Sequence, residues 1–246
     1  MSINACAKIV HDADPDRFLA IMAAPVSARR VLFPLYAFNV EISRAPWVTK
    51  ETMIAEMRVQ WWRDALAEVA EGRGRRHEVV DALGEVLDAE GARLLDGCCE
   101  MRRWDIYTDP FEDEEHFDSY IEETSATLLW VAARALGSTE EAAVRKRGYA
   151  AGVANWLVAV PELAARNRIP LLDGRPEGLQ GLARKALTAL AEGKIDKAAR
   201  PASLIGFQTR DILQQALDNP LRVGDGALGL SPIRKRLLLM KQSAFG

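Results

Sequence analysis

Cysteine and histidine are scarce in this chain of 246 residues. The cysteines are Cys6, Cys98 and Cys99, an odd count with one adjacent pair, which supplies neither a disulfide framework nor a metal-ligand spacing. Such cysteine usage fits a reducing, cytoplasmic setting. His11, His77 and His116 are too scattered for a zinc site, and no Ser/His/Asp or Cys/His nucleophile arrangement stands out. Long hydrophobic runs are missing too. The most apolar stretch, residues 150–160, contains Gly152 and Asn155 and falls short of the ~18 residues that a membrane span needs. No basic start followed by an apolar stretch opens the chain, so no signal peptide is expected. Strand-type alternation is almost absent.

Hydrophobic residues make up 49% of the chain and charged residues 27%, a globular mix that excludes a disordered or fibrous chain. The net charge of -3 argues against a nucleic-acid partner. The charge is uneven. From Lys194 onward nine Lys/Arg face four Asp/Glu, a net of +5, which leaves -8 on the preceding residues.

Apolar residues recur at three and four, so the expected fold class is all-α. Asp14-Pro15 reads as an N-cap with a proline at the first helical position, opening a helix over residues 15–22. Further helices are expected over 27–44, 50–71 (capped by Thr49), 77–89, 92–107 and 113–136. Pro34 predicts a kink or a late start in the second. Ser138-Thr139-Glu140-Glu141 has the capping-box pattern and starts a helix to about residue 165, with a bend at Pro161. The last helices are expected over 177–192, 202–218 and 232–241. No linker splits the chain, so residues 1–246 are read as a single domain with the 232–241 helix as a peripheral element.

Three segments carry a family resemblance. They are Arg30-Val31-Leu32-Phe33-Pro34-Leu35-Tyr36-Ala37-Phe38-Asn39-Val40-Glu41, Met57-Arg58-Val59-Gln60-Trp61-Trp62-Arg63-Asp64-Ala65-Leu66, and Gly152-Val153-Ala154-Asn155 running on to Pro161-Glu162-Leu163. In order and spacing the chain resembles the squalene/phytoene synthase family over roughly residues 14–220. The resemblance implies a helical isoprenoid-synthase-like fold around a central cavity. In active members two Asp-rich motifs on facing helices hold Mg²⁺, which binds the diphosphates of two prenyl substrates. The physical logic is that carboxylates at i and i+4 share a helix face and can chelate a hard cation, which then stabilises the leaving diphosphate.

The chain departs from that pattern. The first motif's aspartates fall at Ser43, Arg44 and Trp47, and the second motif's at Ala159 and Leu163, although Asn155 is kept. An arginine of the active family falls at Glu123. The resemblance is thus to a degenerate branch of the family, similar to a mitochondrial respiratory complex I assembly factor with a phytoene-synthase-like domain. Ala37-Phe38-Asn39-Val40-Glu41 and Arg58-Val59-Gln60-Trp61-Trp62 carry that likeness.

No catalytic residue, metal or cofactor is therefore expected, with Mg²⁺ needed only if prenyl transfer persists. Residues expected to face the cavity or a ligand are Phe33, Tyr36, Asn39, Glu41, Arg44, Arg58, Trp62, Tyr120 and Asn155. The acidic run of Asp109, Glu112–Glu115 and Asp118 reads as a helix start, where the macrodipole favours acids. The tail sets Arg234, Lys235, Arg236 and Lys241 beside Leu237–Met240. It reads either as a peripheral contact with an anionic inner membrane or as a helix packing its leucines on the domain. The expected function is a catalytically degenerate assembly or binding factor, with respiratory complex I assembly as the candidate role. An active prenyl-diphosphate transferase and an isoprenoid- or lipid-binding protein are the alternatives.

Overall fold

The computed structural model describes residues 2–245, and among them every regular element is helical. α1 (Ser2–Ala13) buries Cys6 and Val10, one turn apart, against α3 and α5. The sequence reading had no helix there. α2 (Pro15–Ala23) starts where expected, with the Asp14 carboxylate accepting from Arg17 N at 2.9 Å. α3 (Val26–Arg44) passes through Pro34 without a late start; the proline is buried in the core. α4 (Thr52–Ala70) begins two residues later than expected, because the Thr49 hydroxyl closes a local turn on Glu51 N at 3.1 Å instead of capping the helix.

The expected 77–89 helix is shorter. α5 (Glu78–Gly84) is capped by the His77 ring at 3.2 Å from Val79 N. Asp88 then caps a new helix, α6 (Ala89–Arg102), through Gly91 N at 2.8 Å. A 3₁₀ turn, Arg103–Ile106, follows it. The expected 113–136 helix is three pieces: α7 (Glu114–Ile121), a π-turn (Glu122–Ala126) and α8 (Thr127–Ala135). At the π-turn the Thr124 hydroxyl donates to the Tyr120 carbonyl at 2.6 Å, and Ser125 donates to Gly148 O at 2.9 Å. These side-chain bonds compete with the regular ladder.

α9 (Glu141–Ala165) runs through Pro161. The capping box does not form: the Ser138 hydroxyl accepts from Glu140 N at 3.3 Å and donates to Asp196 at 3.1 Å. After α10 (Pro176–Glu192), the expected 202–218 helix is divided by a 3₁₀ turn ending at Gly206. This gives α11 (Arg200–Ser203) and α12 (Thr209–Asp218). A short α13 (Leu221–Gly224) leads to α14 (Pro232–Phe245), which is longer than expected.

Two buried clusters organise the helices. One joins α1–α6, α8 and α11 around Leu32, Phe38, Trp62, Leu95 and Val131. The other joins α7, the π-turn, α9, α10 and α12 around Phe117, Tyr120, Leu157, Ala183 and Leu213. α9 meets the π-turn through Gly148 and Gly152. A Cβ on Gly148 would stand 2.5 Å from Ala126 Cα, a backbone atom that cannot swing aside. Alanine would gain up to about 1 kcal/mol of helix propensity there. Overpacking of about 1–3 kcal/mol acts against it. Gly148→Ala is expected to lower the melting temperature by several degrees; an unchanged or higher value would show that the two segments can separate freely.

Candidate functional site

A cavity of about 400 Å³ opens between α3, the α6–3₁₀ junction, the π-turn and α9. Helical spacing builds its walls. Tyr36, Asn39 and Ser43 project from one face of α3, with Trp47 just beyond its end. Gly148, Gly152, Asn155, Ala159 and Leu163 form a matching stripe on α9. Tyr120, Ile121, Thr124 and Ser125 come from α7 and the π-turn. π-turns are frequent at functional sites because they re-aim side chains.

The cavity's charges are internally matched. Asp14 pairs with Arg17 at 3.4 Å, and the Arg17 guanidinium lies 5.0 Å from the centre of the Tyr36 ring. Asp105 accepts from Arg102 at 3.0 Å and from the Tyr120 hydroxyl at 2.9 Å, and Arg102 also donates to the Tyr120 oxygen at 2.6 Å. Arg168 donates to the Asp105 carbonyl and stacks over Trp47 and Trp104. Burial alone would lower Arg102, but Tyr120 and Asp105 outweigh it and hold the guanidinium above its ordinary range. Burial also keeps the phenols of Tyr36 and Tyr120 far above their usual range, so both stay neutral.

Four buried polar atoms lack a partner among the described residues: Tyr36 OH, Asn39 Oδ1, Arg102 Nε and Arg168 Nη1. The first three belong to cavity-lining residues. An unpaired buried polar group costs about 1–3 kcal/mol. The lining also includes the apolar Ile121, Leu128, Leu129, Ala159 and Leu163, so polar and apolar side chains share the cavity.

Of the residues picked out from the sequence, Tyr36, Asn39, Tyr120 and Asn155 line the cavity, Asn155 at its exposed rim. Of the positions to which the sequence resemblance assigns the family's aspartates, Ser43, Trp47, Ala159 and Leu163 line it as well. The other five expected residues lie elsewhere. Phe33 is buried against Phe18. Glu41 and Arg44 turn off the lining face of α3, and Arg44 is exposed. Arg58 is exposed on α4. Trp62 packs in the core against Phe38, Trp61 and His77. Glu123 does not line the cavity; it accepts from Thr127 at 3.3 Å. The sequence reading missed Asp14, Arg17, Arg102 and Asp105, for which only the helix start at Asp14-Pro15 gave a local signal.

Among the described residues no group of three or more His, Cys, Asp or Glu is placed to hold a metal ion. Burial raises the thiols of Cys6 to about 12 and of Cys98 to about 11, and Cys99 goes up as well, so none is a ready thiolate.

This is the all-α isoprenoid-synthase fold. A dehydrosqualene synthase crystal structure superposes over 99% of this chain and 96% of its own with a TM-score of 0.80 at 17% identity. Squalene synthase HpnC from Alicyclobacillus acidocaldarius gives a TM-score of 0.72 at 14% identity, over 93% and 95%. The sequence model of the squalene/phytoene synthase family matches residues 10–172, and the chain belongs to that family. Its curated relatives include the Drosophila melanogaster NADH dehydrogenase (ubiquinone) complex I, assembly factor 6 homolog. That protein is 29% identical over 192 residues, covering 74% of this chain and 57% of the relative. The Bos taurus assembly factor 6 is 23% identical over 169 residues, 67% of this chain and 51% of the relative. The chain spans little more than half the length of these relatives.

Proposed function

We propose that the chain is a catalytically degenerate squalene/phytoene-synthase-like protein that acts as an assembly or binding factor, with respiratory complex I as its target. The observation that carries this reading is the chemistry of the cavity wall. Ser43, Trp47, Ala159 and Leu163, the positions to which the sequence resemblance assigns metal-binding aspartates, line the cavity. The lining carboxylates that remain, Asp14 and Asp105, are committed to Arg17, Arg102 and Tyr120. Mg²⁺ demands several oxygen ligands in near-octahedral array, and this donor set does not fit it. The name of the curated relatives supports the assembly role.

The cavity supports a bound amphiphile as a part of that role, since polar and apolar side chains both line it. α14 supports peripheral membrane contact. No helix among the described residues is long and apolar enough to cross a membrane. α14 docks through Leu238 and Leu239 and through a Lys235–Asp16 ion pair. Ile233, Leu237 and Met240 are 61–72% exposed on its outer side, flanked by Arg234, Arg236 and Lys241. This pattern suits an interfacial helix. One face of the helix packs on the rest of the chain, and the membrane contact is assigned to the opposite face.

The test is the abundance of the respiratory complex. Deleting the gene from its host is expected to lower fully assembled complex I on native gels, with recovery on re-expression. Unchanged complex I in the deletion strain would overturn the assembly reading.

A further inference from the structure

On the side of the molecule where α9, α10, α11, α12 and α14 meet, a second groove of about 600 Å³ is lined by Arg147, Lys194, Lys197, Arg200 and Arg210. No Asp or Glu lines it among the described residues. These cations come from distant parts of the sequence: one from α9, three from the α10–α11 connection and the α11 start, and one from the first turn of α12. None of the five has a carboxylate at ion-pair distance among the described residues, whereas their neighbour Lys146 pairs with Glu192 at 2.6 Å. The acid nearest in sequence, Asp196, is engaged elsewhere, by Ser138 at 3.1 Å and by Ala199 N at 2.8 Å.

Arg147 is the fixed point of the groove. Its Nε donates to Gly193 O at 2.7 Å, and Gly193 is needed for the approach, since a Cβ there would meet Arg147 Cγ and Ala143 O at 2.8 Å. Burial lowers Arg147 from its ordinary range, and the neighbouring Arg210 lowers it further. Like charges thus gather in a concave site without an acid to relieve them, an arrangement that raises the local concentration of anions. Guanidinium forks and ammonium groups together suit phosphate oxygens.

Next in sequence to the lining Ala23 and Pro25, Met22 and Val26 are 41% and 69% exposed. Gln242 and Ser243 of α14 also line the groove, Gln242 donating to Phe207 O at 2.9 Å. A free anion would have no use for exposed apolar neighbours, but a phosphate attached to acyl chains would. We propose that this groove binds the phosphate of an anionic phospholipid headgroup at a membrane surface. The inference rests on the peripheral-membrane reading of α14 but draws on different residues, so the two can fail separately.

The experiment is cosedimentation of the full chain with phosphatidylcholine vesicles with and without phosphatidylglycerol. Removing three groove charges in Lys194→Gln, Lys197→Gln, Arg200→Gln is expected to weaken binding to the anionic vesicles about 100-fold, from the usual contribution of basic residues near such a surface. Removing three exposed charges elsewhere, in Lys50→Gln, Arg76→Gln, Arg184→Gln, is expected to have a far smaller effect. Both variants alter solvent-facing side chains and are expected to melt with the wild type. Equal losses in the two variants, or none in the groove variant, would overturn the headgroup site. Ile233→Gln, Leu237→Gln, Met240→Gln tests α14 alone. If that variant loses binding and the groove variant does not, the membrane reading stands and the groove assignment falls; the reverse outcome keeps the groove and removes α14. Inorganic phosphate is the last arm. If it raises the melting temperature through the same three residues while vesicles do not bind, the site takes a soluble phosphate and the lipid assignment fails.

Discussion

Purified protein supplied with Mg²⁺ and farnesyl or geranylgeranyl diphosphate is expected to release diphosphate no faster than a protein-free control. A metal acting on a leaving diphosphate supplies several kcal/mol of charge stabilisation in the transition state. Each 1.36 kcal/mol is about tenfold in rate, so losing the metal alone removes orders of magnitude. Arg17 and Arg102 cannot replace it, because each is already neutralised by a carboxylate. Asn155 keeps its place on the rim, but a single neutral oxygen does not chelate. Added Mg²⁺ or EDTA is likewise expected to leave the melting temperature unchanged, since binding to the folded state alone would raise it. Mg²⁺-dependent release of diphosphate above the control would sink the pseudo-enzyme reading, whatever became of the assembly role.

The second large effect is structural. Asp105 is 5% exposed and ties Arg102 to Tyr120 beneath the cavity floor. Asp105→Ala leaves the Arg102 guanidinium charged and buried with only the Tyr120 oxygen. Breaking a buried pair from one side costs about 3–5 kcal/mol. The Arg102 side chain keeps 17% exposure toward the cavity, which favours the lower end. At about 2–4 °C per kcal/mol for a domain of this size, the melting temperature is expected to fall by about 10 °C. Tyr120→Phe removes two charge-assisted hydrogen bonds, one given to Asp105 and one taken from Arg102, and is expected to cost about 1.5–3 kcal/mol. A loss below 1 kcal/mol for Asp105→Ala would mean that cavity water solvates Arg102 and that the network is not structural.

The helices were legible where a residue acts on its own neighbours. Asp14-Pro15 marks a helix start by chemistry confined to four residues, and the structure has it. Thr49 and Ser138 show the limit of such signals. Each hydroxyl had two local partners on offer, and the turn outcompeted the helix cap. The cavity wall was legible as positions three or four apart on α3 and α9. Glu41, Arg44 and Arg58 came from the resemblance, which picks out segments and not helix faces, and they do not line this cavity. Arg102, Asp105 and Arg168 carried no local signal, since each finds its partners through packing between segments. The basic groove is the extreme case: its five cations span residues 147–210 and become a group only after five helices meet.

The π-turn at residues 122–126 has a consequence for insertions and deletions. A regular helix advances about 100° per residue. The wide turn holds one residue more than that pitch allows and so resets the phase between α7 and α8. Upstream, Phe117, Tyr120 and Ile121 point into one core; downstream, Leu128, Leu129 and Val131 point into the other. The segment works as a phase shifter between two cores. A chain one residue shorter here would keep its helicity, yet α8 would turn by about 100° and carry Leu128, Leu129 and Val131 off the first core. Length, more than residue identity, is what this stretch of the fold demands.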